Sequence, residues 1–379
     1  MRTYQLQDFA NPISVAVTNP TQSGYSRFVG LEHYDSGELV VKRYSGTELL
    51  TTTAKAFETN DILIARRNVY LKRAGIVFFD GITSGDTIVL RIKNDCESTT
   101  GVPKDLAQRI IPIVLNSEHF WIYANKHADG MNSKRISKEM LLTYEFELPS
   151  LEEQRVLADK LWAAYEVKES YKNLLVQTDK LLHAQFQKMF GDIEKTVPLK
   201  TCANVITGST PSKSRPEYWN NGTYYWVSAF DMKEKYIKDT LEKVTQKGYD
   251  TCRKLPIGSI LYVCRGSIGV MAINSVECAC NQSICAATCH ENWDNEFIYY
   301  VLKYCSENIQ KQYGEGTSFK SISQSTFMNL PIPDVPYNVQ VEFREFIEQA
   351  ERTKASLNKG IEAIEAVIRS LIAEGTTKV

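Results

Sequence analysis

Apolar residues along this chain follow two rhythms. Short runs rich in β-branched and aromatic residues, such as DILIARR, AGIVFF, DTIVLRI, GTYYWVSAF and GSILYVCRG, are cut by Gly, Asp and Asn and read as strands. Two longer stretches repeat apolar residues at four-three spacing and read as helices. The first runs from about Leu151 to Phe190, and the second from about Asn338 to Ala373. Neither contains a proline. Ser150 and Glu153 form a capping box ahead of the first, and Gly191 stops it. NEFIYYVLKYCSENIQKQY also has helical spacing, with Phe297, Val301, Tyr304 and Ile309 near one face.

The pattern is written twice. YQLQDFANPI from Tyr4 lines up with VPLKTCANVI from Val197, and FVGLE from Phe28 with WVSAF from Trp226. DILIARR ending at Arg67 meets SILYVCR ending at Arg265, and GMNSKRIS from Gly130 meets GTSFKSIS from Gly316. The offset drifts between 186 and 198, as small loop insertions would make it. In each half an extended, proline-bearing stretch meets a Gln, Gln154 or Gln340, and then a long helix.

The helical stripes match step for step. The first reads Leu157, Leu161, Ala164, Lys168, Tyr171, Leu175, Thr178, Leu182. Its counterpart, 186 residues on, reads Phe343, Ile347, Ala350, Lys354, Leu357, Ile361, Ile364, Ile368. A spacing near 3.5 residues suits a coiled-coil seam. Helices of this length span roughly 55–60 Å, and antiparallel pairing would bury both stripes. The expected fold is α+β: two strand-rich domains, 1–150 and 192–336, alternating with two helices, 151–191 and 337–379, that pair as an antiparallel coiled coil with pseudo-twofold symmetry.

The 379-residue chain is long for one core and has an ordinary globular composition, with a net charge of −1. That balance argues against a strongly basic nucleic-acid protein but leaves room for local positive clusters. The N-terminal stretch has no apolar signal core, no run suits a membrane, and nine cysteines read as reduced thiols. A cytoplasmic location is the expectation.

Little in the chain suggests chemistry. DVPY (Asp334 to Tyr337) is a poor match to an adenine-holding Asp-Pro-Pro-Tyr turn, and no glycine-rich cofactor loop follows a strand. Cys278, Cys280, Cys285 and Cys289 lack the paired C-x2-C knuckles of a zinc site, so no metal is expected. None of the five histidines sits in a catalytic motif, and no Walker loop is present.

Taken in order, the doubled layout, the helix entries LPSLEEQ and IPDVPYNVQ, and the motifs ITGSTPSKSRPEYW, VCRGSIG, CNQSI and GTSFKSIS resemble the specificity subunit of type I restriction–modification systems. The resemblance covers essentially the whole chain. It implies two target recognition domains, each reading one half of a split sequence in double-stranded DNA. It also implies that the helices act as a ruler and as a docking surface for two modification subunits. S-adenosylmethionine, ATP and Mg would be held by the modification and restriction/translocase subunits, with no cofactor and no catalytic residue in this chain. The first domain departs from the pattern: ISVAVTNPTQSG stands for ITGSTPSKSRPEYW, and RRNVYLKRAG for RGSIG.

A reader of DNA needs phosphate contacts for position and base-edge contacts for sequence. In the first domain the candidates are Arg66, Arg67, Asn68, Lys72, Lys134 and Arg135, with Arg73 beside them. In the second they are Ser209, Thr210, Ser212, Lys213, Arg215, Arg265, Ser267, Asn281, Gln282 and Lys320. Arg can fork onto guanine, and Asn or Gln onto adenine. Arg67 and Arg265 lead because they fall at one place in both halves, whereas Tyr224, Tyr225 and Trp226 read as strand core. The target should be two short elements with an unread gap, their centres roughly 34 Å apart. The near-neutral charge predicts weak binding by this chain alone. An alternative reading is a coiled-coil protein-interaction scaffold without DNA specificity.

Overall fold

The computed structural model describes residues 2–130, 133–314 and 321–375, without the side chains of 306–314. The chain forms two compact units: Met1–Asn173 with Asn358–Val379, and Leu174–Leu357. Both are α+β.

The first unit is built on an antiparallel sheet in the order Ala10–Ile13, Thr87–Ile92, Ile62–Ala65, Ala74–Ile76. The second unit repeats it as Ala203–Thr207, Ile284–Cys289, Ile260–Val263, Met271–Asn274, then adds Tyr236–Ile237. The central strands Ile62–Ala65 and Ile260–Val263 are buried along their whole length, as their unbroken apolar runs require. A second sheet in each unit contains a parallel pair, Phe28–Val29 with Gly81–Thr83 and Tyr224–Val227 with Cys278–Cys280. Each of these first strands leads into a 3-10 turn, Leu31–His33 or Ala229–Asp231. The alignment of FVGLE with WVSAF is therefore structural.

The proline-bearing stretches close each unit as a two-stranded antiparallel clasp. Arg2–Gln5 pairs with Glu145–Leu148, and Thr196–Pro198 with Pro331–Pro333. Prolines suit such edge positions because they lack a ladder donor. A glutamine then turns the chain into the helix. Gln154 and Gln340 are each buried, and each Nε2 donates to the carbonyl five residues back, Pro149 at 2.9 Å and Val335 at 3.0 Å. The Oε1 of Gln340 accepts from Asp294 N at 2.9 Å, where the helix Asn295–Gly314 begins. In the first unit the corresponding helix, Lys104–Val114, is entered from Pro103, which has no N–H, and Gln154 Oε1 is left without a partner.

The long helices are Leu151–Phe190 and Tyr337–Gly375. The Ser150–Glu153 box is present, with Ser150 N donating to Glu153 Oε2 at 2.9 Å. All sixteen stripe positions are buried or half-buried. Within the first unit Tyr171 lies against Gly360 and Leu157 against Gly375. Within the second, Lys354 bonds Asp179 at 3.0 Å, and Phe343 packs on Phe186 and Phe190. In both units the helix segments run antiparallel. The seam merges with the globular cores: Leu161 and Ile368 join the core of the first unit, and Leu182, Phe343 and Ile347 that of the second.

The lysine shared by both stripes has a counter-charge in each unit. Lys168 is buried in the seam and donates to both oxygens of Glu38, at 2.8 and 2.7 Å. Burial pushes the Glu38 carboxyl up, but bonds and charges from Lys168 and Lys172 outweigh it and hold it below the usual carboxylate range. Lys354 is half-buried and lies between Asp179 and Glu351.

Candidate nucleic-acid interface

In both units one end of the central sheet carries the exit of the buried strand, a tight loop, and a segment returning from far along the chain. In the first unit Arg67 bridges Arg135, and Ile136 N donates to the Arg66 carbonyl at 3.1 Å. In the second, Arg265 bridges Ser321, and Ile322 N donates to the Cys264 carbonyl at 2.9 Å. The returning segment then starts a short helix. Ser137 Oγ caps it by accepting from Met140 N, and Ser323 Oγ does the same for Thr326 N. Arg67 and Arg265 thus occupy one place in a duplicated frame.

The loops between are different. In the first unit a 3-10 turn, Val69–Leu71, lies between Asn68 (φ 54°) and Lys72 (φ 49°), both left-handed. Asn tolerates that conformation because its short polar side chain bonds locally. Asn68 therefore has a backbone role whatever its amide reaches. Val69 is buried and anchors the turn, while Tyr70 is exposed at its tip. In the second unit Gly266 (φ 82°) and Gly269 (φ 91°) form a tighter hairpin that exposes Arg265 and Ser267.

The cations of the first unit are mostly engaged. Arg67 Nε donates to Ser133 Oγ at 2.7 Å, and its guanidinium lies 3.6 Å from Asp86. Arg135 reaches the same carboxylate at 3.5 Å. Lys72 pairs with Glu118 at 2.5 Å. Arg73 braces the loop by donating to the carbonyls of Leu31 and Arg67, at 2.9 and 3.0 Å. Lys134 is exposed.

In the second unit Gly208, Ser209 and Thr210 lie beside Asn281 and Gln282. Ser209 N donates to the Cys280 carbonyl at 2.7 Å, and Thr210 Oγ1 bonds Gln282 Oε1. Gly208 is required, because a Cβ would fall on the carbonyls of Cys280 and Asn281. Asn281 Oδ1 accepts from Ser283 N at 2.9 Å, and Cys264 N donates to the Ser283 carbonyl, which ties this loop to Arg265. Arg265 is exposed and has no ion-pair partner among the described residues. Lys213 is held by Glu242 and lies 3.5 Å from the centre of the Trp219 ring. Arg215 donates to the Tyr218 hydroxyl at 2.8 Å, and Ser212 bonds Ser214. Trp226 is buried, with its indole N–H on the Ser209 carbonyl. Lys320 lies outside the described residues.

Three contributors were not read from the sequence. Arg253 is exposed, its N donates to Ser209 Oγ at 3.0 Å, and its guanidinium donates to the Thr207 carbonyl at 2.7 Å. The adjacent pair Arg253–Lys254 before a Pro-Ile-Gly turn was the available signal. Asp86 and Glu118 supply counter-charge from distant segments, which no local pattern marks. Cys278, Cys280 and Cys285 are buried in strands, and burial pushes the Cys278 thiol up to about 12, so it stays protonated.

An exposed arginine beside amide- and hydroxyl-bearing loops can bond base edges and phosphates. Residues 193–366 match the family described as Type I restriction modification DNA specificity domain. The chain is 27% identical over 161 residues to the type I restriction enzyme EcoR124I/EcoR124II specificity subunit of Escherichia coli, covering 41% of this chain and 40% of that relative. The match thus spans well under two thirds of the relative's length. Two solved structures share the fold over nearly the whole chain. One, from work on complex assembly and conformational transition of the type I R-M system, has a TM-score of 0.61 at 16% identity, covering 99% of this chain and 97% of that one. The other, the type I restriction-modification S subunit from M. genitalium, has a TM-score of 0.57 at 13% identity, covering 100% and 96%. The family expected from the sequence is the one these comparisons return.

Proposed function

We propose that this chain is the DNA-specificity subunit of a type I restriction–modification complex and performs no chemistry itself. Each unit reads one half of a bipartite target in double-stranded DNA. The paired helices set the gap and dock two modification subunits, which carry out methylation, and restriction/translocase subunits join them. The observation that supports this reading best is the duplicated sheet end, with Arg67 and Arg265 at one position, in a chain whose second half matches a DNA specificity domain.

On this reading Arg265, Arg253, Ser267, Asn281, Gln282, Ser209 and Thr210 face DNA in the second unit. Arg67, Arg135, Lys134, Asn68 and Lys72 do so in the first. Cations now held by carboxylates exchange those partners for phosphates. Lys213, Arg215 and Ser212 shape the loop that presents the others.

The test is a mobility shift with random-sequence and target duplexes, with and without modification subunits. Sequence-dependent binding should emerge with the modification subunits and weaken as salt rises, because bound phosphates release counterions. Equal binding to every duplex, or none, would leave a protein-interaction scaffold as the better reading. Removing one turn from each helix should shorten the gap.

A further inference from the structure

Beside the exit of strand Ile62–Ala65 in the first unit is a cleft of about 320 Å³, lined by Pro12, Ser14, Lys55, Arg66, Lys138 and neighbours. Its charge is predominantly positive. Arg66 Nε is buried without a partner, and its side chain makes no ion pair among the described residues. Lys55 Nζ donates to the carbonyls of Gly85 and Thr87, at 3.0 and 2.8 Å, which leaves one N–H. Lys138 is exposed and has only a loose contact with Glu139, at 3.7 Å. Glu139 lines the cleft and Asp86 acts on Lys55 from nearby, so the carboxylates offset part of the charge. Burial lowers the Lys55 pKa, and the charges of Arg66 and Lys138 lower it further.

The second unit shows that the frame does not impose this cleft. At the place of Lys138 stands Gln324, whose Nε2 donates to the Val205 carbonyl at 3.1 Å and whose Oε1 accepts from Thr207 Oγ1 at 2.8 Å. At the place of Arg66 stands Cys264, a buried thiol hydrogen-bonded to Cys285. There Gln324 fills the groove, and Arg253, at the place of Lys55, donates from its guanidinium to the Thr207 carbonyl at 2.7 Å. In the first unit the same groove has three cations, one with an unsatisfied buried N–H.

We propose that Lys55, Arg66 and Lys138 form a binding site for a phosphate oxyanion, carried by a DNA backbone or by a free phosphate. The DNA-backbone source rests on the function proposed above, and the free source does not. A tetrahedral phosphate offers an acceptor to each cation and to the hydroxyl of Ser14, and Arg forks onto it.

The test titrates the full chain with inorganic phosphate by calorimetry at fixed ionic strength, against chloride. Wild type should bind. Arg66→Gln and Lys138→Gln should each weaken binding about tenfold, Arg66→Lys should restore part of it, and Gln324→Ala should change nothing. Lys138 is surface-exposed, so its variant should fold as wild type does. A second arm measures duplex binding across salt, with modification subunits present. A salt slope reduced by about one in Lys138→Gln identifies a DNA phosphate as the ligand. Loss confined to the phosphate titration identifies a free phosphate. If wild type binds no phosphate and the slope is unchanged, or if wild type binds phosphate and neither glutamine variant weakens that binding, the proposal is overturned. Phosphate binding through these residues without any sequence-dependent DNA binding would sink the proposed function and keep this site.

Discussion

Arg67 and Arg265 hold one position in two copies of a frame, yet their surroundings are opposed. Arg67 shares Asp86 with Arg135 and is tied to Ser133, whereas Arg265 is exposed at a glycine hairpin and makes no ion pair among the described residues. The groove beside them is reversed too: cationic and open next to Arg67, filled by Gln324 next to Arg265. Duplication kept the backbone and let the charge diverge. On the proposed function, such divergence suits two surfaces that read different sequences from one scaffold. A pre-paired arginine must give up a protein carboxylate before it gains a phosphate or base, so its net gain is smaller. An unpaired, exposed arginine gives up only water.

The largest expected contrast is in the seam. Glu38→Ala strands the buried ammonium of Lys168 and should destabilise the first unit by about 3 kcal/mol. Asp179→Ala removes an exposed partner of Lys354 and should cost less than about 1 kcal/mol. Hydrogen exchange resolved by unit checks both, and equal costs would erase the distinction. Next is the readout itself. Arg265→Ala should cost about 1–3 kcal/mol of DNA binding and relax only its own half-site. A uniform loss over all sequences would make Arg265 a phosphate contact. Arg67→Ala should cost less than Arg265→Ala. Asp86→Asn should strengthen binding by up to about 1 kcal/mol, because it releases Arg67 and Arg135; a weaker complex would mean that Asp86 orients them for DNA. The smallest effect is in pH. The Glu38 carboxyl is held below its ordinary value of 4.5, so its contribution is complete above that value and is lost as pH falls through the lower folded one. Melting of the first unit against pH should show this loss, and Glu38→Gln should remove it.

Much of the frame was legible because it rests on local rules and on repetition. The capping box at Ser150 and Glu153 and the stop at Gly191 marked the first helix. The paired stripes, offset by 186, showed which faces meet. The matched endings at Arg67 and Arg265 located the shared sheet end. What stayed hidden depends on partners far apart in the chain. Nothing near Arg67 announces Asp86, and nothing near Lys168 announces Glu38. Lys213 reads as a free loop cation until Trp219 and Glu242 close on it. The cationic groove requires Lys55, Arg66 and Lys138 to converge from three segments, and only folding brings them together.

The most direct test is to map adenine methylation across the host genome, with this chain intact and with it deleted. Two short elements at a constant separation, both lost on deletion, are the predicted result, and Arg265→Ala should blur one element while leaving the other intact. A single uninterrupted motif, a variable separation, or methylation indifferent to the deletion would contradict the account.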